Sequence, residues 1–183
     1  FLALQNKADE VQLGRMVQHY FDVRAGIGLN KSPELYGAFP TDAYSHTPGN
    51  GGAKQPGMTG QVKEDIISRY GELGIMVEDG KIAFNPALLR KTEFLKSAKA
   101  FEYLSVQKEI IRIDLPVATL AFTFCQVPFV YHIAENNSVR ITNASGMLSD
   151  KEGLEINTFE SNEIFNRTGL IKQVDVYLKP GLE

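Results

Sequence analysis

Apolar positions along the chain follow two periods, and the change between them falls at Gly74. Near the start, Leu4, Val11, Met16 (or Leu13), Val17 and Tyr20 stand close to helical spacing, with Asp9, Glu10, Arg15 and Gln18 between them. This predicts an amphipathic helix. Residues 26–60 are dense in Gly, Pro, Ser, Thr and Asn and carry little apolar periodicity, which predicts an extended loop. Loops of that length inside a compact domain are usually functional or disordered. A second helix is expected from Thr59 to about Tyr70. Val62, Ile66, Ile67 and Tyr70 form its apolar stripe, Thr59 is its N-cap, and Gly71 or Gly74 ends it.

After Gly74 the period becomes two. Ile75-Met76-Val77, then Glu78-Asp79-Gly80-Lys81, then Ile82-Ala83-Phe84 predicts a hairpin, because Asp-Gly suits the left-handed turn conformation. Strand-like runs follow at 101–106, 110–113, 117–124, 129–132, 139–142 and 170–178. Turn clusters at 143–146 and 150–153 separate the later ones. Short strands with regular turn signals predict a β-sandwich or barrel. There is no internal repeat and no low-complexity tract.

Charge and composition narrow the partners. A net charge of −3 lacks the basic stripe of a nucleic-acid or anionic-membrane surface. The longest apolar run, 117–125, has the length of a strand and not of a membrane span. One cysteine, Cys125, allows no internal disulfide, and with three histidines it leaves too few ligands to expect zinc. The chain opens on Phe1-Leu2-Ala3-Leu4, without an initiator methionine or a signal-peptide pattern. The expectation is a fragment cut inside a helix, soluble, from a cytoplasmic or periplasmic protein.

Candidate chemistry is concentrated between Asp42 and Asp65, where a glycine-rich loop feeds a helix start. Glycines let backbone amides approach a ligand, and the helix start offers unpaired N–H groups with partial positive charge. That suits a phosphate, a carboxylate, or a sugar hydroxyl bonded by Thr59 or Gln61. Neither the Walker A nor the Rossmann glycine spacing occurs, so no nucleotide or other cofactor is implied. On spacing alone, a solvated turn with a capped helix accounts for the segment equally well.

A resemblance adds to this. The order His46, Pro48-Gly49, Gly51-Gly52, Thr59-Gly60, helix, Glu72-Leu73-Gly74-Ile75, Asp79-Gly80, Ile82, Pro86 resembles the end of the catalytic domain in the six-hairpin (α/α)6-barrel superfamily. Glycoside phosphorylases of the cellobiose phosphorylase type and related inverting glycosidases share that progression, which leads into a closing β-sandwich. The similarity covers residues 40–90 at motif level and the later β region only in kind. It implies a fold that is α+β by content: an N-terminal helical remnant of an (α/α)6 barrel over 1–74, then an all-β sandwich over 75–183. It also implies an oligo- or polysaccharide substrate, with phosphate as co-substrate if the enzyme is a phosphorylase, and an upstream part of the same protein that supplies the acid.

By this resemblance His46 and Thr59 lie near a phosphate or the reactive sugar subsite, with Gln55, Gln61 and Lys63 lining the same polar surface. Gln61-Val62-Lys63-Glu64-Asp65 departs from the phosphorylase pattern of small residues and an aromatic after Thr-Gly. Glu64 or Asp65 is the candidate general base of an inverting hydrolase, which needs two separated carboxyls. The alternative is that both acids complement the helix dipole in its early turns and Lys63 is simply solvated. Two acids near a dianion would repel it by about 1 kcal/mol or more, which leans towards hydrolysis over phosphorolysis.

The remaining candidates read as structural. His19 is expected half-buried on the first helix, and His132 packs at a strand end or faces solvent. Cys125 reads as an inert buried thiol. Tyr36, Phe39 and Tyr44 either stack on a sugar ring or pin down the loop. The Asn-x-Ser/Thr triplets at Asn136, Asn143 and Asn166 are chance-level matches. Three functions compete: the C-terminal part of a six-hairpin enzyme, a non-catalytic carbohydrate-binding β-sandwich, and a structural domain. The first expects exposed apolar faces on both helices. The second expects those helices to fold back onto the sheet, and the third expects no polar cluster around His46.

Overall fold

In the computed structural model, residues 9–24 and 59–179 are described. The loop 26–58, with His46, Gln55, Tyr36, Phe39 and Tyr44, lies outside the described residues, as does Leu4. Two compact units are present, 1–69 and 70–183, and the division falls within a helix. The content is mixed α+β, as the sequence pattern predicts.

Helix α1 spans Glu10–Arg24. Asp9 caps it: its Oδ1 accepts from the Val11 amide at 3.0 Å and its carbonyl accepts from Leu13 N. Leu13, Val17, Tyr20 and Phe21 are half-buried, while Val11, Met16 and His19 are exposed, so His19 is not the packed histidine expected of it. Helix α2 spans Thr59–Glu72. Thr59 is its first helical residue, one position inside the cap expected there. Beyond Glu72 the chain turns through Leu73 into Gly74 at φ +76°, a left-handed helix terminus that glycine adopts without strain.

Strands β1 (Ile75–Glu78) and β2 (Lys81–Phe84) form the predicted hairpin, with Asp79 and Gly80 both at positive φ. On its far edge β2 meets residues 154–156 through Phe84 N to Leu154 O and Ile156 N to Ile82 O. The buried Ser161 hydroxyl ties this junction, accepting from Ile82 N at 3.0 Å and donating to Ile156 O at 3.2 Å.

Strands β3 (Lys99–Leu104) and β4 (Ile110–Leu115) make a separate two-stranded ribbon. The main sheet has five strands: β5 (Thr119–Phe124), β6 (Val127–Ile133), β7 (Ser138–Asn143), β8 (Leu148–Glu152) and β9 (Ile171–Leu178). Their order is β5-β6-β9-β7-β8, antiparallel except for the parallel β6–β9 pair. Between β8 and β9 lies helix α3, Thr158–Phe165.

Two elements correct the sequence expectation. The C-terminal part is not all-β, because α3 interrupts it. Asn157 caps that helix through Glu160 N at 2.9 Å, and Ser161 and Ile164 bury its inner face. Residues 150–152 are not a turn but the polar edge strand β8, and the reversal comes at Gly153 (φ +84°). Lys151 Nζ stands 2.9 Å from Glu160 Oε2, an ion pair without hydrogen-bond alignment that links β8 to α3.

One face of the sheet carries the core. Phe129 and Tyr131 of β6, Val174, Val176 and Leu178 of β9, and Val139 and Ile141 of β7 are all buried there with Ile82, Phe84, Ile156 and Ile164. Phe122 stacks on Phe129 at 5.7 Å and meets Tyr131 edge-on at 5.1 Å. Phe124 extends the aromatic cluster to Tyr70 of α2 and Phe165 of α3.

The β5–β6 turn holds Cys125 (φ +50°) and Gln126 (φ +64°), two left-handed residues without a glycine. Both carry a Cβ penalty, and at the first position Asn would offset part of its own through local hydrogen bonding. Cys125→Asn is expected to raise stability by about 0.5–1 kcal/mol. Urea denaturation checks this, and an equal loss would show that the thiol's packing outweighs the turn strain.

Candidate functional site

Of the residues singled out from the sequence, Thr59, Gln61, Lys63, Glu64 and Asp65 all fall on α2. Their side chains, like His46 and Gln55 entirely, lie outside the described residues. Their helical positions still constrain the chemistry. The first turn of α2 carries no acid, so Glu64 and Asp65 sit in its second turn, where the dipole has largely faded.

The apolar stripe of α2 divides. Tyr70 packs into the β-rich unit, its ring 5.2 Å from that of Phe124 and its hydroxyl donating to Thr123 O at 3.2 Å. Ile66 and Ile67, on the same stripe, remain 51% and 71% exposed.

The sheet face opposite the core carries the densest described cluster of titratable groups. Strand alternation sends His132, Asp175, Tyr177 and Arg140 to this side, between the core residues Tyr131, Val174, Val176, Val139 and Ile141. Register then sets them in rows. Val130, Asp175, Arg140 and Asp150 lie abreast across β6, β9, β7 and β8, and His132, Tyr177, Ser138 and Glu152 form the adjacent row.

Within these rows the contacts are tight. His132 Nε2 stands 2.7 Å from Asp175 Oδ1, and Gln173 Nε2 donates to Asp175 Oδ2 at 2.8 Å. Arg140 donates from Nε and Nη2 to the two Asp150 oxygens, at 2.6 and 3.2 Å. The Tyr177 ring lies between the His132 ring, stacked at 4.8 Å, and the Arg140 guanidinium, 5.6 Å from its centroid. The Arg140 hydrogen bond holds the Asp150 carboxyl below its ordinary value, and Asp150 in turn raises Arg140. Both stay charged at neutral pH.

This cluster was not found from the sequence. His132 and Asp175 are 43 positions apart, and only the parallel pairing of β6 with β9 brings them together. The available signal was a polar residue breaking each apolar run: His132 after 127–131, and Asp175 between Val174 and Val176.

Cys125 is half-buried. Burial pushes its thiol up, against the opposing charge and hydrogen bond of Arg167, so it is not poised as a nucleophile. The Asn143 side chain is engaged by Ser145 N, Ser145 Oγ and Met147 N, which fixes the β7–β8 turn. Among the described residues no three His, Cys, Asp or Glu side chains converge as a metal site, and no helix is long and apolar enough to cross a membrane. Compared with known proteins, the chain matches no family model and no curated sequence.

Proposed function

We propose that this chain is the C-terminal part of a carbohydrate-active enzyme that cleaves glycosidic bonds by inverting hydrolysis. In this reading α1 and α2 belong to an (α/α)6 barrel, and the β-rich unit is the sandwich-like domain that closes the protein. The carrying observation is the division of the α2 stripe. Tyr70, itself part of the β-rich unit, packs on Phe124, while Ile66 and Ile67 one turn earlier are 51% and 71% exposed. Partial exposure of two adjacent isoleucines forfeits about 1–2 kcal/mol each of burial, which further helices of the same polypeptide would recover. The exposed Val11 and Met16 on α1 fit the same account. The superfamily rests on the resemblance in motif order from His46 to Pro86.

The chemistry assigned to α2 rests on the motif order. An inverting enzyme needs an acid and a base about 6.5–9.5 Å apart across the sugar, so one of Glu64 and Asp65 serves as base and the acid comes from upstream. His46, Gln55, Thr59, Gln61 and Lys63 bind the sugar, or phosphate if the reaction is phosphorolysis.

The test uses the full-length enzyme with β-glucosides, with and without phosphate. Sugar release independent of phosphate, lost by at least about 100-fold in either Glu64→Gln or Asp65→Asn, is expected. His46→Ala and Thr59→Ala are expected to lower turnover by at least about tenfold each, roughly 1.4 kcal/mol of transition-state stabilisation. Strict phosphate dependence with release of a sugar 1-phosphate would replace hydrolysis by phosphorolysis. No cleavage with any glycoside overturns the enzyme reading.

A further inference from the structure

The rows on the outer sheet face have binding capacity that their internal contacts leave unused. Each carboxylate oxygen can accept two hydrogen bonds, and Asp150 and Asp175 use one on each oxygen among the described residues. Arg140 has five N–H donors and spends two on Asp150 and one, at 3.4 Å, on Tyr177. That last bond leaves the Tyr177 hydroxyl proton unassigned. The second ring nitrogen of His132 also has no partner among the described residues. These groups are accessible to different degrees: the Asp150 side chain is 64% exposed, Arg140 39%, His132 23% and Asp175 12%. Mutual hydrogen bonds and the His132–Tyr177–Arg140 stack hold the groups in place before any ligand arrives.

We infer that this outer face, centred on Arg140, Asp150 and Tyr177, is a non-catalytic binding site for a neutral oligosaccharide. Charge selects the ligand. One guanidinium faces three carboxylates, those of Asp150 and Asp175 and that of Glu152 in the adjacent row, so a phosphate or uronate would be repelled. Uncharged hydroxyls meet no such repulsion and can donate to the carboxylates and accept from Arg140. Planar carboxylate and guanidinium groups offer paired sites suited to vicinal hydroxyls. The polar part of the row, from Asp175 through Arg140 to Asp150, crosses two interstrand gaps of about 4.8 Å, roughly 10 Å in all, which suits an oligosaccharide better than a monosaccharide. The ligand class, though not the site, rests on the carbohydrate reading above.

Titration calorimetry of the full-length protein with cellohexaose, xylohexaose, mannohexaose and, as anionic controls, hexagalacturonate and inorganic phosphate tests it. Saturable binding of a neutral hexaose is expected, weakened at least tenfold by Arg140→Ala and by the conservative Asp150→Asn. Circular dichroism establishes that both variants are folded, and cleavage of a short soluble glycoside is expected to be unchanged in them. Binding that survives in Glu64→Gln and Asp65→Asn but not in Arg140→Ala assigns the sugar to the sheet face, whether or not the protein cleaves glycosides. No saturable binding of any neutral hexaose overturns the inference. So does binding that both sheet-face variants leave intact, or tighter binding of hexagalacturonate.

Discussion

Gly74→Ala is expected to remove about 2–5 kcal/mol of folding stability, a large part of what a domain of this size holds. Two effects add. The position has φ +76°, where an L side chain costs roughly 1–2 kcal/mol. A Cβ there would also lie 2.1 Å from Asn85 O and 2.5 Å from Asn85 C, both backbone atoms. Backbone cannot rotate aside as a side chain tip can, so the strand end must shift, at about 1–3 kcal/mol for overpacking. That shift would also strain the 2.7 Å hydrogen bond from Asn85 N to Gly74 O. Gly80 is the control. Its φ is +74°, but nothing lies within 4 Å of its would-be Cβ, so Gly80→Ala should lose only about 1–2 kcal/mol. Urea denaturation midpoints of the two variants measure the difference directly. Equal losses would mean that the close approach at Gly74 relaxes freely.

Gly74 was legible in advance because the reason for it is local. A helical stripe ends there, an alternating pattern begins, and glycine supplies the left-handed terminus between them. Asp79-Gly80 was legible for the same reason, since both residues suit the turn that their flanking strands require. Helix α3 was missed although Asn157 and Glu160 stand at capping-box spacing, because eight residues give too little periodicity to outweigh the surrounding strands. Strand β8 was missed because Leu148-Ser149-Asp150-Lys151-Glu152 is an edge, exposed along most of its length and therefore polar. The turn at Cys125-Gln126 has no glycine or asparagine to announce it. The His132–Asp175 contact depends on which strands become neighbours, and a parallel pair formed across β7, β8 and α3 leaves no local trace.

The same logic separates what the two units say about function. Every residue proposed for catalysis lies on α2 or in the loop before it, and was reached from motif order. The sheet-face site was reached only from register. The β-rich unit buries its own core through Phe84, Phe129, Tyr131 and Ile164, so its fold does not depend on a ligand at the outer face. Changes to Arg140 or Asp150 should accordingly separate binding from folding, whereas changes at the α2 terminus should not.

Tyr131 marks that terminus. Its side chain is fully buried, its ring packs edge-on against Phe84 and Phe122, and its hydroxyl donates to Leu73 O at 2.8 Å. Leu73 immediately follows α2, where carbonyls run out of intrahelical donors, so the tyrosine supplies a partner that neither water nor the helix provides. Tyr131→Phe keeps the ring and leaves that carbonyl short of a donor, with an expected loss of about 1–3 kcal/mol. Tyr131→Ala removes the ring as well and opens a cavity on the core face of β6 beside Phe84 and Phe122, for a total of about 5 kcal/mol or more. That approaches the whole stability of the unit, so the alanine variant is expected to be largely unfolded at 37 °C, while the phenylalanine variant folds. Hydrogen exchange gives the local readout. In Tyr131→Phe, the Asn85 amide, bonded to Gly74 O beside Leu73, should exchange faster by more than the global loss of stability accounts for. A phenylalanine variant within about 0.5 kcal/mol of the parent, with Asn85 protected as before, would show that the aromatic packing alone holds the end of α2 to the sheet.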